Sequence, residues 1–180
     1  MNPTNLLNKY YSKNKDLLEL LRTHSEQVAK KALKCAKNLD IPDLDLRFIW
    51  EASMLHDIGI FMVHAPKIGC NGNEPYVCHG YLGRLLLEEN GLHKHALVCE
   101  RHVGVGLSLE DIRNQKIPLP FRDMRPKSIE EQIICYADKF FSKNGNFEEK
   151  TIENIENELL RYSKRSVDTF RQWHKNFAVC

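Results

Sequence analysis

Apolar residues recur at three- and four-residue spacing along nearly the whole chain, a rhythm that leaves little room for anything but a helical fold. From about residue 16 to residue 39 the series Leu17, Leu21, Val28, Ala32, Cys35 and Leu39 keeps one helical face apolar. Pro42 and Asp43 open a second helix, which runs through Leu46, Ile49 and Ala52 to Asp57 and stops at Gly59. Residues 60–75, with Pro66, Gly69, Asn71, Gly72 and Pro75, read as a loop. Helices follow over about 76–90 and 93–102, each ended by glycine. Ser108 caps a short helix over 109–115. Past Pro118, Pro120 and Pro126, the run Ser128, Ile129, Glu130, Glu131 is a capping box for a helix reaching about Phe141. Asn144 and Gly145 make a turn, and from about Phe147 the rest is amphipathic helix. No useful strand alternation, repeat or low-complexity linker interrupts the pattern. The expectation is one all-α domain over 1–180, a helical bundle with its core at about 16–142 and C-terminal helices at about 147–179.

Composition narrows the function. The 180 residues are 42% hydrophobic and 28% charged, the balance of a soluble globular protein. The longest apolar runs fall far short of a membrane span, and Met1–Leu7 has no basic segment leading into an apolar one, so the expected location is cytoplasmic. Cys35, Cys70, Cys78, Cys99, Cys135 and Cys180 are scattered without a C-x-x-C pair, which favours reduced thiols, several of them in the core. A formal charge of +2 does not call for nucleic acid, and Lys30, Lys31, Lys34 and Lys37 read as a solvated helix face.

The chemistry lies in polar residues on faces that should be buried. His24 shares a stripe with Leu17, Leu21, Val28 and Cys35. His56 follows Ile49 and Ala52, His79 sits with Leu82 and Leu86, and His102 with Val98 and Cys99. Asp138 follows Ile134 and Cys135. Each alone reads as a hydrogen-bonded core residue, but unpaired burial of all five, with Asp57 beside His56, is costly. A helical bundle that projects imidazoles and carboxylates inward can satisfy them on metal ions. Such donors suit iron, manganese, cobalt, nickel or zinc, and the two oxygens of Asp57 allow it to bridge two ions.

These residues resemble the HD superfamily. His24, the doublet His56–Asp57 and Asp138 form its H…HD…D signature, His56 to Gly59 reads HDIG, and His79 and His102 match the two extra histidines of the binuclear subgroup. The resemblance covers about residues 24–139. It implies one metal on His24, His56, Asp57 and Asp138, and a second on His79 and His102 bridged by Asp57. It also implies a phosphohydrolase acting on a nucleotide or another small phosphorylated substrate. Lys139 occupies the place of a lysine that follows the last aspartate in similar proteins. The G-Y-P triplet of the cyclic-di-GMP subgroup is absent.

The expected mechanism is attack on phosphorus by a hydroxide activated between two ions about 3.5–4 Å apart. Asp57 organises the site and Lys139 neutralises phosphoryl charge. His64, close after the doublet on the 61–76 loop, is a candidate catalytic residue, with Lys67 beside it. Arg101 reads first as a surface ion pair. His93, His95 and His174 read as ordinary residues. The same ligand pattern occurs in mixed-valence di-iron oxygenases, and a metal-binding sensor without catalysis is a third alternative. A homo-oligomer is compatible with all three.

Overall fold

The computed structural model describes residues 2–39, 41–143 and 148–178. Among these are nine α-helices: α1 (Pro3–Tyr11), α2 (Lys15–Lys37), α3 (Leu46–Leu55), α4 (His79–Glu89), α5 (His93–Arg101), α6 (Leu109–Asn114), α7 (Ile129–Asp138), α8 (Ile152–Leu160) and α9 (Lys164–Phe177). The strands are a two-residue antiparallel pair, β1 (His64–Ala65) and β2 (Cys70–Asn71), with His64 opposite Asn71. The fold is all-α. No described helix is long and apolar enough to cross a membrane.

Several boundaries depart from the sequence expectation for identifiable reasons. Helix α1 was not expected; Asn2 caps it by accepting from the Thr4 amide, and Pro3 supplies a preset φ. It buries Leu7 and Tyr11, and the Tyr11 hydroxyl donates to the Ile58 carbonyl at 2.7 Å. Helix α3 opens three residues after Asp43, whose φ of 62° is left-handed and cannot begin a helix. The cap is Asp45, which accepts from the Phe48 amide at 2.8 Å. The 60–75 segment is more structured than a plain loop, holding the hairpin and 3-10 turns at Ile60–Met62 and Pro66–Ile68. The Ser128 capping box is half formed. Ser128 receives the Glu131 amide, but the Glu131 side chain accepts from the Lys127 amide instead. The C-terminal run is two helices, because Ser163 caps α9. The turn at Asn144–Gly145, the helix start at Phe147 and Cys180 lie outside the described residues. The other five cysteines are buried and unpaired.

Helix α2 packs on α3 and α7, α4 on α5, and α8 and α7 on α9. Two large apolar clusters result. One gathers Leu7, Leu17, Leu21, Leu55, Ile58 and Leu87; the other gathers Val28, Ile49, Val98, Ile133 and Phe170. On α2 the first cluster takes Leu17, Leu21 and Ala29 and the second Val28, Ala32, Cys35 and Ala36, and His24 lies between Leu21 and Val28. The polar residues thus occupy the seam where two hydrophobic cores meet.

Candidate metal centre

The seam collects all six residues. His24, His56 and Asp57 are 0% exposed, His102 2%, His79 4% and Asp138 8%. They form two groups joined by Asp57: His24, His56, Asp57 and Asp138, and Asp57, His79 and His102. In the first group, Asp57 Oδ2 lies 3.2 Å from His24 Nε2 and 3.0 Å from His56 Nε2. Asp138 Oδ1 lies 3.1 and 3.3 Å from the same two nitrogens, which are 3.3 Å from each other. In the second, Asp57 Oδ1 lies 3.3 Å from both His79 Nε2 and His102 Nε2, themselves 3.0 Å apart. Each oxygen of one carboxylate therefore faces its own set of imidazoles.

These separations suit ligands gathered about an ion. Donors about 2.0–2.2 Å from one metal stand about 2.8–3.6 Å apart at octahedral to tetrahedral angles. Among the described residues, neither Asp57 oxygen accepts a hydrogen bond of good geometry, although nitrogens surround both. Burial of such a carboxylate is costly unless cations satisfy it; the Lys143 ammonium lies beside Oδ2, and ions between the oxygens and the imidazoles would answer the rest. The donor set can hold divalent metal ions.

The histidines are prepared for that role by the ends of the elements that carry them. His56 Nδ1 donates to the Ser53 carbonyl at 2.6 Å, His79 Nδ1 to Tyr76 at 2.6 Å, and His102 Nδ1 to Cys99 at 2.7 Å. In each case the acceptor lies three residues back: for His56 and His102 in the last turn of a helix, where carbonyls lack intrahelical partners, and for His79 in the 3-10 turn Tyr76–Cys78 that leads into α4. The bond holds a proton on Nδ1 and turns Nε2 toward the cluster. His56 and Asp57 can both point inward because α3 ends at Leu55 and the chain tightens, with the Ile58 amide donating to Leu55 and Ile60 to Asp57. The Gly59 position is equally specific: a Cβ there would stand 2.2 Å from the His79 carbonyl oxygen and 2.5 Å from the Gly83 amide nitrogen. The HDIG glycine lets the start of α4 approach the doublet.

Charge is unevenly distributed. Burial pulls the His56 pKa down, but the Asp57 and Asp138 carboxylates outweigh it and lift the group to about 9. Burial prevails at His102, lowering it to about 4 despite Asp57. Burial would raise both carboxyls; His56 and Lys143 outweigh it at Asp57, and Lys139, His24 and His56 at Asp138, holding each well below the usual carboxylate range.

Lys139 points to the site: its Nζ lies 2.9 Å from Asp138 Oδ2 and donates to the His102 carbonyl at 3.2 Å. Lys143 does as well, and sequence reasoning missed it. Its Nζ lies 2.6 Å from Asp57 Oδ2. Its spacing of four from Lys139 was the available signal, yet α7 ends at Asp138 and a non-helical turn carries Lys143 back to the doublet. His64 is exposed on β1 and Lys67 is exposed after it; neither lines the cavities beside the cluster. The 61–76 loop reaches a cavity instead through Ala65, Ile68 and Tyr76. Arg101 is largely buried, with Nη1 2.9 Å from both oxygens of Glu131. His95 faces Glu51 at 3.4 Å, and His174 meets the Tyr136 hydroxyl at 2.8 Å, both away from the cluster.

Residues 21–142 match the family described as HD domain. The chain is 29% identical over 157 residues to a tRNA (cytidine(56)-2'-O)-methyltransferase of Picrophilus torridus, covering 87% of this chain and 39% of that protein. It is 30% identical over 124 residues to an uncharacterised protein of Methanocaldococcus jannaschii, covering 68% and 62%. A tRNA (cytidine(56)-2'-O)-methyltransferase of Thermoplasma volcanium is 24% identical over 158 residues, covering 87% and 41%. The chain thus spans between 39% and 62% of these relatives' own lengths. No solved structure matches it significantly.

Proposed function

The chain belongs to the HD-domain family, generally metal-dependent hydrolases, and we propose that it is a phosphohydrolase using two divalent transition-metal ions on a phosphate ester, a nucleotide or another small phosphorylated metabolite. The observation that carries this reading is the division of Asp57, one oxygen toward His24 and His56 and the other toward His79 and His102. When bound, such ions supply Lewis acidity and a hydroxide nucleophile at neutral pH.

The residues around them do the rest. His56, His79 and His102 keep their lone pairs aimed inward through their Nδ1 bonds to backbone carbonyls. Lys139 and Lys143 remain charged because the carboxylates beside them outweigh burial. Both line the cavities at the cluster, where their ammonium groups can receive phosphoryl oxygens and offset charge growing on them. Two cations beside the cluster favour an anionic substrate. The methyl transfer named for two relatives stays with proteins of which this chain matches 39% and 41%; the tRNA in those names makes an RNA-derived phosphate ester worth including among substrates.

The deciding experiment is turnover of nucleotides under strict anaerobiosis with Zn²⁺ or Mn²⁺ in labelled water. The expected result is activity without dioxygen and one solvent oxygen in the released phosphate or phosphorylated product. Turnover that requires iron and consumes dioxygen in proportion to product would overturn the hydrolase reading.

A further inference from the structure

Two cavities meet at the cluster. One has a volume of about 440 Å³ and the other about 480 Å³, each within the range of small-molecule sites, about 300–1,000 Å³. They share Tyr76, Gly104, Asp138, Lys139, Lys143 and Tyr162, so the reacting end of one is also that of the other. Beyond that junction they diverge. The first chamber runs past His79 and His102 along Val77, Val103, Leu107 and Ile117, with Lys116 and Arg165 among its lining. The second runs between the 61–76 loop and α8, along Ala65, Ile68, Phe141 and Ile155 to Lys150 and Glu158.

We propose that the substrate is a phosphodiester, its phosphate held at the junction and one substituent lodged in each chamber. This rests on the phosphohydrolase reading and narrows it. A monoester has a single organic arm and would leave one chamber unused, whereas a diester has two. The wall chemistry suits nucleosides. Tyr76 and Tyr162 are 42% and 69% exposed at the junction, where flat rings can stack on them, and apolar side chains line both chambers. Charge points the same way. Lys139, Lys143, Lys150 and Arg165 each have a carboxylate partner, and Lys116 has no ion pair among the described residues. Lys116 also holds a left-handed φ of 52° directly after the α6 C-cap, a position glycine takes at less cost. The first chamber therefore offers an uncommitted cation to an arm that carries further anionic groups. In the reaction a water oxygen forms a new bond to phosphorus and one P–O ester bond breaks. The departing alkoxide takes up a proton from that water, leaving a phosphomonoester and an alcohol.

The test uses the metal-loaded full chain with the dinucleotide ApA and with AMP. It follows kcat/KM and, separately, calorimetric binding of the phosphorothioate analogues of both. The diester should be favoured at least tenfold in turnover and in binding. Ala65→Trp, which fills the second chamber, should cut the diester-to-monoester ratio at least tenfold in both readouts, with Ala65→Leu giving a smaller cut if the larger residue prevents folding. Ile117→Trp in the first chamber should lower both substrates together. Preference for AMP, or a ratio indifferent to both Ala65 variants, overturns the two-chamber assignment and leaves the hydrolase intact. Preferential binding of the ApA analogue, lost on filling the second chamber, with no hydrolysis of either ester, would uphold the chambers and remove the hydrolase reading. Absence of both binding and hydrolysis would overturn both.

Discussion

The two ligand groups share Asp57 but lie in different surroundings, and the contrast separates holding an ion from presenting it. The group of His24, His56, Asp57 and Asp138 sits between two apolar cores, on α2, at the end of α3 and on α7. Its carboxylates face two lysines, and its His56 is lifted to about 9. The group of His79 and His102 comes from the start of α4 and the end of α5 and lines the first chamber. Its His102 is lowered to about 4. One group is charged and reaches the cavities only through Asp138; the other is neutral at His102 and lines the first chamber with both of its histidines.

The largest effect should come from the residue common to both. Asp57→Ala removes an oxygen from each group, so metal content should fall from about two ions per chain to less than one. Turnover should fall by at least about 10³-fold, beyond the cost of losing a single supporting donor. The double variant His79→Ala/His102→Ala should keep roughly one ion. Two ions retained in that double variant would show that the groups are not divided as described.

Gly59→Ala should discriminate between the groups. A methyl 2.2 Å from the His79 carbonyl oxygen forces α4 away from the doublet, an overpacking cost of about 1–3 kcal/mol. Thermal unfolding should register that loss, and metal titration should show the His79–His102 site weakened more than the His24–Asp138 site. Equal weakening of both would break the comparison.

The third expectation is a pH dependence whose sign follows from His56. In the metal-free chain it keeps its proton below about pH 9, and an ion entering the first group must expel it. Affinity of that group should rise about tenfold per pH unit for the one proton displaced, and level off above about 9. His102, at about 4, has no proton to give up above about pH 5 and adds nothing to this slope. Calorimetry of the His79→Ala/His102→Ala variant at pH 7, in buffers of different ionisation heat, should find about one proton released per ion. No release would remove the distinction.

The smallest effect should be at His64. It is exposed and outside both chambers, so His64→Ala should change kcat/KM by less than about twofold, within the range of surface substitutions. A tenfold loss would mean that the 61–76 loop brings it to the substrate.

Much of this molecule is already written along the chain. The all-α fold and the helices carrying five of the six polar residues follow from apolar periodicity, which any helix that buries one face must obey. His24, His56, His79, His102 and Asp138 stand out because a polar residue on such a face needs a partner. Local chemistry was harder to place where two caps compete, as at Asp43 and Asp45, or where a terminal segment such as α1 gains its stability from contact with Ile58. Tertiary structure alone decided which oxygen of Asp57 meets which histidines, and that Lys143 returns to Asp57 while His64 faces outward. It also decided that two chambers meet beside the cluster. These are distances between residues far apart in sequence, set by how helices pack. Periodicity says which face of a helix turns inward, but not what it will meet there.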